Sequence, residues 1–104
     1  MVRITVLYPN ESGKKFDHDY YVNKHMTLVR QRLDPFGLRR TEVDKGVAGG
    51  AAGAPAPYIA LGHLYFDRAE DFVKGMSQHG AELLGDIPNY TNIAAQIQVS
   101  EIIG

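Results

Sequence analysis

The sequence has no cysteine and no tryptophan among its 104 residues. Without cysteine there are no disulfide staples, thiolate zinc sites, cysteine-ligated iron–sulfur clusters or cysteine nucleophiles. No charge of one sign dominates: 11 Lys and Arg stand against 12 Asp and Glu, so there is no basic footprint for a phosphate backbone. Long hydrophobic runs are missing as well. The longest uncharged stretch, Val47 to Gly62, is interrupted by glycines and prolines, whereas a bilayer-spanning helix needs about 20 mostly apolar residues. The opening residues place Arg3 inside the apolar stretch and offer no small-residue cleavage site, so a cytoplasmic location is expected. What is present, 44% hydrophobic and 22% charged residues, is the composition of one folded domain over residues 1–104. A single core of this size without covalent staples commonly gains from association, and a homodimer is expected.

Val2, Ile4, Val6 and Tyr8 alternate with Arg3 and Thr5, which predicts a strand that Pro9-Asn10 ends. Asp17 is a candidate N-cap, with Phe16 and Tyr21 at hydrophobic-staple spacing, for a helix reaching about Leu33 before Asp34-Pro35. Residues 37–47 read as a charged strand at or near a sheet edge. The spacer Ala48 to Pro57 is too poor in side chains to pack and either joins two antiparallel strands as a long hairpin loop, the simpler reading, or folds over a neighbour. Tyr58 to Phe66 predicts a buried strand, and Asp67 with Glu70 marks the capped start of a second helix running to about Gly85. A turn over Asp86 to Tyr90 precedes a last strand in which Ile93, Ala95, Ile97 and Val99 alternate with polar residues. The order β-α-β-β-α-β predicts an α+β, ferredoxin-like fold, with both helices on one face of a four-stranded antiparallel sheet. Two such sheets packed face to face would form a dimeric α+β barrel.

The first helix is amphipathic, with Tyr21, Val22, Met26, Val29 and Leu33 in its apolar arc. Three polar residues fall within that arc. His18 and Arg32 lie at the helix ends and read as surface side chains that reach water past the termini. His25, in the middle, has no such exit: its ring is either a hydrogen-bonded core group or the lining of a cavity. Tyr21, one turn earlier, stands beside it, a pairing that suits proton transfer or quiet structural hydrogen bonding. A solvent-connected cavity of a few hundred cubic ångströms reaching the imidazole is expected of a ligand site there, whereas a ring packed solid with both nitrogens bonded to main chain would end the enzyme reading.

On the second helix, His79 and Asp86 stand near one edge of the inner arc, with Gly75 leaving space beside them. His79 is either a pocket residue or a boundary histidine paired with Glu82. His63 shares a strand face with Ile59, Leu61 and Tyr65, and belongs either to the same cavity, to the core, or to the opposite face of the sheet. His18 and His25 are seven apart, too far along a helix to chelate one ion, and no metal site is expected. There is no G-x-S-x-G elbow for Ser12, Ser77 or Ser100, and no glycine-rich phosphate loop follows a strand, so no nucleotide cofactor is expected.

Phe16-Asp17-x-x-Tyr20-Tyr21-x-x-x-His25-Met26-x-Leu28, followed by His79-Gly80-x-Glu82 and Asp86-Ile-Pro-Asn-Tyr-Thr91, resembles the EthD family over nearly the whole chain. One departure is Thr27, where the family commonly has Pro. The resemblance implies a dimeric α+β barrel with a cavity between helices and sheet. It also implies a context of ethyl tert-butyl ether degradation beside an oxygenase system, and an oxidoreductase label. Two functions follow. As an enzyme, the protein would enclose a small apolar or aromatic substrate, with His25 as general acid/base, Tyr21 orienting it or donating to an oxyanion, and His79, Tyr65, His63 and Asp86 as substrate-binding residues. As a binding or auxiliary protein, it would hold a hydrophobic ligand or serve the oxygenase without chemistry.

Overall fold

The computed structural model describes all of residues 1–104. The alternating segment Val2–Pro9 forms β1, and the next helix, α1, occupies residues 18–33. Asp17 caps α1 through its side chain, which accepts from the Tyr20 amide, and the Phe16 and Tyr21 rings meet at 5.2 Å. Strand β2 is Arg40–Lys45 and β3 is Tyr58–Phe66; the second helix, α2, is Ala69–Gly85, and β4 is Gln96–Glu101. All neighbouring strands pair antiparallel in the order β2-β3-β1-β4, the ferredoxin-like arrangement that the element order predicts. No helix is long and apolar enough to cross a membrane.

The boundaries differ from the sequence reading where local chemistry intervenes. Strand β2 begins later than residue 37 because Gly37, at φ +97°, closes a 3-10 turn over Asp34–Phe36. The last strand begins after Ile93 because residues 91–93 are tied elsewhere: Thr91 Oγ1 donates to the Lys15 carbonyl and accepts from the Ile93 amide. The Asp67 cap does not form. Arg68 occupies the cap position without a side-chain hydrogen bond, and Asp67 instead accepts from Arg39 Nε at 3.1 Å.

The core lies between α1, α2 and the sheet, where Ile4, Tyr8, Leu33, Ala60 and Phe66 are fully buried. Gly75 is the point of closest helix approach: a Cβ there would stand 2.7 Å from Leu33 Cδ2. The space expected beside it is therefore filled by Leu33 and Phe36 and does not open towards His79 or Asp86. Strand β4 is less well covered; on its helix-facing side Ile97 and Val99 remain half-exposed.

The opposite face of the sheet is mixed, with Leu7 paired to Leu61 at one end and polar rows beside them. Pairing register puts Arg40, Tyr65, Arg3 and Ser100 in one row across the strands, and Glu42, His63, Thr5 and Gln98 in the next. Tyr65 accepts from Arg3 Nε and donates to Glu42, while His63 bonds Thr5 through Nδ1 and Asp44 through Nε2.

Candidate functional site

Helix α1 is not a regular α-helix. Residues Tyr21–His25 form a π-turn, with the Met26 amide reaching back to the Tyr21 carbonyl. Such a turn is wider, so residues four apart come nearly above one another; it also recurs at functional sites. The Tyr21 and His25 rings consequently lie almost parallel, 5.5 Å apart at 16°. They stack and share no hydrogen bond. The Tyr21 hydroxyl instead packs on Gly62, where an added Cβ would collide with it.

The partner of His25 comes from the far end of the chain. Its Nδ1 lies 2.9 Å from Asp86 Oδ2, with side-chain exposures of 8% and 14%. Asp86 follows the last residue of α2, where the negative end of the helix dipole disfavours a carboxylate. Donors offset this. Oδ1 accepts from Tyr20 Oη at 2.8 Å and from Asn89 Nδ2 at 2.9 Å, and Oδ2 takes the imidazole. Burial pushes the Asp86 carboxyl up, but hydrogen bonds from Asn89, His25 and Tyr20 outweigh it and hold the group below its ordinary range.

For His25, burial dominates and lowers the affinity for a proton, with the hydrogen bond and charge of Asp86 opposing it. The imidazole is therefore neutral at pH 7. An ionised carboxylate only accepts, so the single ring proton sits on Nδ1 and Nε2 carries a free lone pair. Nε2 makes no hydrogen bond to the protein, and no buried side-chain nitrogen or oxygen in the molecule lacks a partner, so this atom keeps an opening.

His25 also lines a cavity of about 50 Å³ between the helices and the sheet, together with Tyr8, Tyr21, Met26, Met76 and Ile97. Thirteen of its fifteen lining residues are hydrophobic, His25 and Gly62 being the exceptions. The space is smaller than the few hundred cubic ångströms of a formed ligand site and holds about three to five water molecules at roughly 10–15 Å³ each. A larger guest must displace side chains. Leu84 and Ile97 both line the cavity and are 49% and 48% exposed, which places its mouth between the end of α2 and β4.

Aromatic rings close the other side. Tyr90 lies 4.8 Å from His25 and 5.0 Å from Tyr21, and its hydroxyl shares a 2.6 Å hydrogen bond with Tyr8. Burial is the chief reason that the Tyr8, Tyr21 and Tyr90 phenols titrate above their ordinary range; all three stay protonated at neutral pH.

Of the residues singled out from sequence, the structure brings together His25, Tyr21 and Asp86. It separates the others. His63 and Tyr65 lie on the opposite face of the sheet, because a strand alternates its side chains and Gly62 and Leu64 take the cavity side. His79 sits against the Phe36 ring at 5.7 Å, away from the cavity, and Glu82 pairs with Arg32 at 2.7 Å rather than with His79. His18 is not simply a surface side chain; its Nε2 lies 3.1 Å from the Ile59 carbonyl. Tyr20, Asn89, Tyr8 and Tyr90 were not picked out as site residues. Tyr20 points away from the apolar arc on a helical projection, and only the π-turn and the approach of residues 86–90 give it a role.

The family model described as EthD domain matches residues 11–94. No curated protein matches by sequence. Among solved structures, an EthD-like protein from Ralstonia eutropha JMP134 is 44% identical, with a TM-score of 0.93 over 99% of this chain and 92% of that one. An ethyl tert-butyl ether (EthD) family protein from Bacillus halodurans C-125 is 20% identical, with a TM-score of 0.67 over 99% of both chains. A protein with a ferredoxin-like fold from Mesorhizobium loti MAFF303099 shares 11% identity at a TM-score of 0.60, over 99% of this chain and 97% of that one. The match covers both halves of the dyad, His25 in the π-turn and Asp86 after α2, and on it the chain belongs to the EthD family.

Proposed function

We propose that the protein is an enzyme that moves a proton on a small, largely apolar molecule, with His25 as general acid/base and Asp86 as the residue that orients it. The observation that carries this reading is the His25 ring, held by Asp86 at Nδ1, without a protein partner at Nε2, and part of the wall of an otherwise hydrophobic cavity. Nε2 takes a proton from an O–H or activated C–H of the substrate. The imidazolium so formed is paired with Asp86, and the same proton returns to a different atom of the product. Tyr21 also lines the cavity, and its phenol, which burial keeps protonated, is the candidate donor to an oxygen that gains charge. Ether degradation and service to an oxygenase system remain the context that family membership suggests.

Incubating wild type and His25→Ala with a library of small apolar metabolites, read by mass spectrometry for binding and turnover, tests this reading. Conversion by wild type alone supports it. Equal behaviour of the two proteins sinks a catalytic role for His25, and a ligand retained unchanged by both assigns the cavity to binding.

We further propose that a second copy of the chain covers the sheet face that carries Leu7, Leu61 and the polar rows. Arg3 and Arg40 lie towards one end of that face, and Glu42 and Asp44 towards the other. An antiparallel pair therefore sets arginines over carboxylates.

A further inference from the structure

We infer that the cavity selects uncharged molecules with a hydroxyl head, a phenol or an alcohol, whose apolar tail leaves between Leu84 and Ile97. The inference rests on the reading of His25 as an open acceptor and narrows the class of molecule that it serves. Nε2 offers a lone pair, so its complement is a hydrogen-bond donor. No lysine or arginine lines the cavity. The Asp86 carboxylate, 2.9 Å from Nδ1 across the ring from Nε2, repels an anionic head. A carboxylate or phosphate would thus be desolvated among hydrophobic side chains with no cation to meet it. An ammonium head would lose its hydration for one imidazole.

The tail is set by the mouth. About 50 Å³ accommodates the head alone, so a longer molecule must extend outwards. The exit passes two half-exposed aliphatic side chains, Leu84 at the end of α2 and Ile97 on β4. Val99, the next residue on the same side of β4, is also half-exposed and prolongs the apolar track. The two methionines in the wall, Met26 and Met76, are the flexible groups that admit a ring at the head.

The probes are 4-alkylphenols and 4-alkylbenzoates of matched chain length, titrated into wild type at about pH 7.5, where phenols are neutral and benzoates are anions. Calorimetry gives affinity, and the His25 ring resonances in ¹⁵N-edited NMR report the place of binding. The expected result is that phenols shift His25 and bind at least about tenfold tighter than their benzoate partners. Leu84→Ser should then weaken 4-octylphenol about fivefold more than it weakens phenol. Benzoates that shift His25 and bind as well as phenols overturn the selection of a neutral head and leave the proton-transfer reading intact. Phenols that fail to move His25 overturn both. A Leu84→Ser effect equal for short and long tails removes the exit path.

Discussion

His25 and Asp86 owe their properties to each other and to unequal burial. The imidazole is buried enough to shed its proton, and the carboxylate has three donors to keep its charge. Asp86 raises the His25 affinity for protons against the larger opposing effect of burial, so Asp86→Asn should lower it further, seen as an acid-side shift of the His25 titration in NMR. A shift towards higher pH in that variant would contradict the pairing. Gly62→Ala tests the other wall. Its Cβ would strike the Tyr21 hydroxyl, and the Tyr21 ring has little room among Tyr8, Phe16 and Tyr90. The expected cost is about 1–3 kcal/mol in chemical denaturation. At this scale the sequence revealed most about His25, since one polar residue mid-way along an apolar arc is visible by periodicity. Asp86 was visible as a residue near the edge of the second helix and as a substrate-binding candidate, but not as the partner of His25. Tyr20 and Asn89 were not, because their task is set by an approach across more than sixty residues for Tyr20 and by a 3-10 turn for Asn89.

The elements that place the dyad are α1 with its π-turn and the segment 86–93 that closes over it. Asp17 with Phe16 and Tyr21 predicted the cap and staple of α1, and a projection at 100° per residue its apolar arc, but neither registers a turn that widens to i→i+5 hydrogen bonds. Strand β3 was legible from its aromatic and branched residues, yet which face His63 and Tyr65 took depended on the register with β1. The tie between residues 86–93 and the start of α1 is polar: Thr91 bridges the Lys15 carbonyl and the Ile93 amide, Asn92 accepts from the Lys15 amide, and the Asp17 amide donates to the Tyr90 carbonyl. Thr91→Val keeps the shape and removes both side-chain bonds. It should cost about 1–3 kcal/mol by thermal or urea unfolding. Unchanged stability would show that the tie does not hold Asp86 against His25.

For the molecule as a whole, proton linkage and association are the accessible readouts. His25 binds a proton less readily folded than unfolded, so the unfolded chain takes up protons first as pH falls through about 6.5, the ordinary value. Stability is therefore full above that pH and declines below it. Asp86, held below its ordinary 3.8, contributes stability above that value that is lost as pH falls further. His25→Gln should flatten the first decline and leave the second, as measured by urea midpoints across pH. The proposed pairing of sheets predicts that Arg3→Glu weakens a dimer in sedimentation equilibrium, and an unaltered association constant would speak against that face. Most direct for the central claim is the tautomer and titration of the wild-type His25 ring by ¹⁵N NMR. The account predicts a neutral ring protonated at Nδ1 at pH 7, with its midpoint below 6.5. A proton resident on Nε2, or a midpoint above 6.5, would contradict it.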